Sequence, residues 1–157
     1  DLGFKHYTWL DRGSDERHYC APGIDLPIAT ITRSKYGEYP EYHTSLDDLN
    51  LVTPSGLKGG FKALKKTLDV IEKNVYPKIE VLGEPQLGKR GFSPTVSTKK
   101  IKEEFLIIRH LLSYCDGQKS VIEIANLLDE PFWALWPIVE KLVDNGLLSV
   151  KTISGES

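Results

Sequence analysis

Beyond Pro54 the apolar residues fall at Leu57, Phe61, Leu64, Leu68 and Ile71, the three- and four-residue spacing that lines one face of an α-helix. Thr53 is a suitable N-cap and Pro54 suits the first helical position, so a helix is predicted to about Asn74. Gly59 and Gly60 weaken its first turns by roughly 1 kcal/mol each relative to alanine, and packing of the apolar stripe has to compensate. A second helical period runs through Ile101, Phe105, Ile108, Leu111 and Leu112 and stops at Asp116-Gly117. Ser120-Val-Ile-Glu123 reads as a capping box opening a short helix. A third helical stretch leads to Asn145-Gly146, where the glycine suits a C-terminal cap, and Pro137 is expected to start or kink it. Leu147 to Ile153 alternates as a strand. Three short helices and a strand predict a winged-helix module over 98–157.

The pattern upstream is different. Residues 1–53 are rich in Tyr, Pro, Asp and Arg, with one apolar run at Leu26–Thr32 that predicts a buried strand and another, Phe4–Trp9, that reads as a strand already under way. Between 76 and 98 the residues Tyr76-Pro77, Gly83, Glu84-Pro85, Gly88, Gly91 and Ser93-Pro94 are spaced as turn punctuation, which marks a junction between domains. The predicted organisation is an α/β part over 1–82, a linker or site loop over 83–97 and the winged-helix domain over 98–157.

Composition narrows the class. Of 157 residues 40% are hydrophobic and 27% charged, with a formal charge of -2, which fits a globular chain. No apolar run is long enough for a bilayer. The charge gives no electrostatic reason to expect nucleic acid or an anionic membrane as partner. Two widely separated cysteines and the lack of an Asn-x-Ser/Thr sequon fit a reducing, cytoplasmic setting. The third helical stretch has only Lys141 as a base beside Glu130, Glu140 and Asp144, and 98–157 holds seven basic against nine acidic residues, the wrong sign for a phosphate backbone. Phe132, Trp133 and Trp136 are expected in the core or at a protein partner.

Chemistry concentrates between Gly13 and Asp48. A carboxylate-bearing turn at Ser14-Asp15-Glu16, an apolar strand and then a histidine in the polar turn Tyr42-His43-Thr44 are what a metallohydrolase needs to present an imidazole at a sheet edge. His6, His18, His43 and His110 form no ligand set with one another, and there is no His-Glu-x-x-His helix or Cys-x-x-Cys pair. Cys20 reads as a small buried residue. In Glu84–Gly91 two glycines flank Lys89-Arg90, without the spacing of a nucleotide-binding loop.

The order of these motifs resembles the zinc-dependent aminopeptidases and the related glutaminyl cyclases, in which an acidic turn, an aromatic, a Gly-x-Pro, a buried strand and an aromatic-His-Thr-x-x-Asp turn follow one another. Here these stand at Ser14-Asp15, Tyr19, Gly23 with Pro27, Ile28–Ile31 and Tyr42–Asp47. Glu16 takes the place of the family histidine, and extra residues separate Gly23 from Pro27. A closer resemblance is to the aminopeptidase-like proteins found with bacterial polysaccharide-biosynthesis functions, through Gly13–Arg17, Tyr19–Gly23, Glu41–Ser45 and Glu84–Gly91. In that family a winged-helix domain follows the peptidase-like domain.

The resemblance implies the C-terminal part of a zinc-exopeptidase-like α/β/α domain followed by a small winged-helix domain, in a fragment of a larger parent. It implies zinc as cofactor, His43 as a ligand, and Thr44 and Asp47 as partners orienting the His43 ring. Asp15 is the candidate catalytic carboxylate. Glu16, Arg17 and Arg33 are candidates for binding charged substrate groups. Turn capping by Thr44, Ser45 and Asp47, an Asx-turn at Asp15 and structural ion pairs are the alternative roles. The activity implied is hydrolysis of an amide or peptide-like bond by the full-length parent, with the fragment inactive by itself, on a small peptide-like or amino-sugar-linked substrate. A non-catalytic regulatory or interaction protein working through the winged helix is the alternative, with a second copy of the chain as one candidate partner and neither nucleic acid nor membrane expected.

Overall fold

The computed structural model describes residues 3–83, 85–90, 92 and 99–152, in two compact units, Asp1–Lys66 and Thr67–Ser157. In the first, the Asp11 carboxylate accepts from both the amide and the hydroxyl of Thr8, each at 3.0 Å, closing a 3-10 turn over Trp9–Asp11. Helix α1, Ser14–Tyr19, follows at once. Gly13 at its N-cap is closely approached, since a Cβ there would lie 3.0 Å from the Tyr36 hydroxyl.

The strands expected at Phe4–Trp9 and Leu26–Thr32 are absent. Leu26 and Ile31 are 46% and 56% exposed, and the Ile28 amide donates to the Leu26 carbonyl at 2.8 Å in a tight local turn. A β-branched apolar run fits a pleated, half-buried surface, but a strand forms only where a neighbour takes up its backbone donors and acceptors. Among the described residues of this unit there is no such neighbour.

Helix α2, Pro54–Lys73, has nearly the predicted bounds, and the Thr53 hydroxyl caps it by accepting from the Gly56 amide at 3.1 Å. Its apolar stripe is uncovered: Leu57, Phe61, Leu64, Leu68 and Ile71 are each more than half exposed. The packing expected to offset Gly59 and Gly60 is therefore not found among the described residues.

In the second unit strand β1, Val75–Ile79, pairs antiparallel with β2, Leu148–Thr152, in the register Val75↔Thr152 to Ile79↔Leu148. Helices α3 (Lys99–Tyr114), α4 (Val121–Leu128) and α5 (Phe132–Asp144) complete it. Tyr76-Pro77, expected as a turn, lies inside β1. The outer edge of β1 explains this: the Ile79 amide donates to Cys115 at 2.9 Å and the Pro77 carbonyl accepts from Gly117 at 3.0 Å. Pro77 thus stands where its missing N–H takes no donor from the ladder.

The core of this unit is Leu111, Val121, Ile124, Leu135, Val139, Leu142 and Leu147, each at most 1% exposed. The ends of the helices are fixed locally. Ser120 and Glu123 form the predicted box, the Glu123 carboxylate accepting from the Ser120 amide at 2.7 Å. Gly146 (φ +65°) closes α5: its amide donates to Val143 at 2.8 Å and that of Leu147 to Leu142 at 2.9 Å, a Schellman arrangement that buries Leu147 against the helix end. Pro137 lies within α5, which continues through it.

Candidate functional site

Residues of the first unit enclose a cavity of about 750 Å³ lined by Lys5, Arg12, Glu16, Arg33, Lys35 and Tyr36, among others. Alpha-helical geometry places neighbours on different faces, and α1 shows it: Glu16 is 9% exposed and lines the cavity, whereas Asp15 is exposed and does not. The Tyr36 hydroxyl donates to Glu16 at 3.3 Å. Burial, and then the Glu16 carboxylate, hold the Tyr36 phenol above its ordinary pKa. Across the cavity the Glu38 carboxylate accepts from the Tyr7 hydroxyl at 2.8 Å and from Lys5 at 3.4 Å, and the Tyr7 bond, before that of Lys5, keeps it below the usual carboxylate range. Asp11 is held low by its Thr8 bonds.

The other proposed substrate contacts divide. Arg33 lines the cavity with one guanidinium nitrogen against the first turn of α2, 3.0 Å from where a Cβ on Gly56 would stand. Arg17 does not line the cavity; it donates to the Arg12 carbonyl at 3.2 Å and lies 5.7 Å from the Trp9 ring. Among the cavity residues that sequence reasoning did not single out are Lys5, Asp11, Arg12, Lys35, Tyr36 and Glu38. Arg12 adjoins the Gly13–Arg17 motif, which was a signal; Lys35 and Tyr36 carried none.

His43 is exposed, has φ +57°, and stacks on Tyr42 at 4.0 Å and 16°. A left-handed conformation disfavours a side chain with a Cβ by about 1 kcal/mol, and Ser14 (φ +51°) shares it at the other motif. Tyr42 in turn packs 6.2 Å from Tyr36, so one aromatic ring separates His43 from the cavity wall. Thr44 caps its own turn, its hydroxyl donating to Glu41 at 2.8 Å and accepting from the Leu46 amide at 3.2 Å. The Asp47 amide donates to the Thr44 carbonyl at 3.2 Å. No hydrogen bond joins either side chain to the His43 ring among the described residues.

A catalytic zinc takes three protein ligands and a structural one four. Among the described residues no three of His, Cys, Asp and Glu come together as a metal site, so they do not by themselves fit a zinc centre. The cysteines have structural contacts: the half-buried Cys20 thiol donates to Leu26 at 3.2 Å, and burial pushes the Cys115 thiol up to about 12. In the loop Glu84–Gly91, both end residues and the side chains of Lys89 and Arg90 lie outside the described residues. No helix among the described residues is long and apolar enough to cross a membrane.

In the second unit α5 presents one base, Lys141, whose ammonium lies 4.8 Å from the Phe92 ring. Phe132 stacks on Trp136 at 5.8 Å, and Lys73 sits 5.5 Å from the ring of Trp133, which is 37% exposed.

Residues 2–74 match a family described as a domain of unknown function (DUF4910). Residues 74–150 match a winged helix-turn-helix family. Over 116 residues, 72% of this chain, the sequence is 37% identical to a Clostridium acetobutylicum protein named "Putative polysaccharide biosynthesis protein with aminopeptidase-like domain". A crystal structure titled as a "putative peptidase" from the same organism superposes with a TM-score of 0.76 over 90% of this chain, at 31% identity. The chain spans 26% of the length of the first relative and 31% of the second. It thus combines a segment matching the domain of unknown function with one matching a winged helix-turn-helix family, and its likeness is to peptidase-like proteins.

Proposed function

We propose that this chain forms part of a zinc-dependent, aminopeptidase-like hydrolase acting on an amide or peptide-like bond in a small peptide-like or amino-sugar-linked substrate. The observation that carries the reading is the structural likeness to the Clostridium peptidase-like chain, which extends over 90% of this one at 31% identity. His43 is the single metal donor assigned to this chain, with the remaining donors drawn from elsewhere in the working protein. Asp15, exposed on α1 and outside the cavity, is the carboxylate assigned to the substrate's amine, and Glu16 and Arg33, which line the cavity, are assigned to its other charged groups. The organisation that goes with this reading has its boundary near residue 74 and not at 82, because Val75–Ile79 pairs with Leu148–Thr152 in the second unit and the winged helix-turn-helix match starts at 74.

The test is an exchange. The matching segment of the Clostridium protein is replaced by this chain, and hydrolysis of amino-acid anilides is followed. The expected result is retained turnover, with Asp15→Asn lowering kcat/KM by roughly ten-fold or more while metal content stays constant. A folded exchange protein without turnover, where the unmodified relative has it, contradicts the reading.

The second reading, an interaction protein working through the winged helix, is favoured by the exposed face of Trp133 beside Lys73. Aromatic side chains are enriched at protein interfaces.

A further inference from the structure

Four cations line the cavity of the first unit, Lys5, Arg12, Arg33 and Lys35, with three carboxylates, Asp11, Glu16 and Glu38. The carboxylates are already engaged. Asp11 takes both donors of Thr8, Glu16 takes the Tyr36 hydroxyl, and Glu38 takes Tyr7 and Lys5. Lys5 and Glu38 form an ion pair at 3.4 Å. Arg12, Arg33 and Lys35 reach the cavity with no carboxylate at ion-pair distance, although the Lys35 charge still acts on Asp11 and Glu38 at longer range, so the four cations exceed the three carboxylates by one. Lys35 instead lies between two aromatic rings, 5.2 Å from that of Tyr7 and 5.0 Å from that of Tyr36, and Arg12 lies 5.7 Å from the Trp9 ring. Ring faces orient cations without neutralising them.

The geometry points to this cavity as the binding site for an acidic ligand, whose carboxylate or phosphate oxygens are met by Arg12, Arg33 and Lys35. Both oxyanions suit a guanidinium fork, which offers paired donors in one plane. The volume, about 750 Å³, falls in the range of small-molecule sites. This names the substrate class for the hydrolase reading and rests on it for the claim that the ligand is a substrate; the binding itself stands on the cavity alone.

The chain is titrated by calorimetry at low salt with N-acetylglutamate, glucose 1-phosphate and neutral N-acetylglucosamine. Saturable binding of at least one acidic probe is expected, with the neutral sugar binding at least ten-fold more weakly, and the stronger acidic probe tells carboxylate from phosphate. Arg33→Gln and Lys35→Gln each weaken that probe by roughly ten-fold, whereas Lys141→Gln, in the other unit, leaves it unchanged. Should neither acidic probe bind, should the neutral sugar bind equally well, or should both cavity variants keep full affinity with an unchanged far-ultraviolet spectrum, the inference is wrong. Because no turnover or metal is read, these isotherms can succeed where the exchange experiment fails, and fail where it succeeds.

Discussion

Asn74 shows what a single side chain can do beyond its own neighbourhood. Its Oδ1 accepts from the Ile122 amide at 3.0 Å across 48 positions of sequence, satisfying one of the first-turn donors of α4 that have no partner within the helix. Asn74→Ala is predicted to destabilise the chain by about 1 kcal/mol, the usual cost of losing a cap. Asn145→Ala, which removes only an exposed bond to the Lys141 carbonyl, is predicted to cost about half as much or less. Urea unfolding midpoints check both, and equal midpoints for Asn74→Ala and the unmodified chain contradict the assignment. Contacts made within four residues, such as Ser120 with Glu123 and the closure of α5 at Gly146, were legible in the sequence because their chemistry is local. Asn74 was not, since its partner is brought to it by the fold. His43 was found through its motif, yet its stacking on Tyr42 and its positive φ belong to the folded loop.

At the scale of elements, α2, α3, α4, α5 and β2 follow from periodicity and capping, because an amphipathic helix needs only its own spacing to be recognised. Strands depend on partners. Leu26–Thr32 has the composition of a strand and no neighbour among the described residues, and β1 has a neighbour despite a proline that argued against it. The same scale decides what α5 can bind. Lys141 is its one base, turned to Phe92, while Glu140 and Asp144 share the helix. With so few phosphates neutralised, the counterion-release term that supplies most non-specific affinity is small. The chain is predicted not to shift duplex DNA at physiological salt. A mobility-shift titration against random duplexes checks this, and salt-sensitive binding at low micromolar concentration contradicts it.

For the whole molecule, matches to two family models meet near residue 74, and the likeness to a Clostridium structure titled as a putative peptidase extends over 90% of the chain. The candidate site was only partly legible at this level. Glu16, from a motif, and Arg33, named for its charge, both line one cavity, and Arg12 and Lys35 join them there through loop conformations that no periodicity encodes. Asp15 and His43 do not line it. The account stands or falls on His43 as a metal donor supplied to a site completed elsewhere in the working protein. The most direct measurement is the zinc bound per chain, by atomic emission, in the Clostridium exchange protein carrying His43 or His43→Ala. Loss of one ligand from a three- or four-ligand site weakens the metal by orders of magnitude, so near-stoichiometric zinc is predicted with His43 and little after dialysis without it; equal zinc in the two contradicts the account.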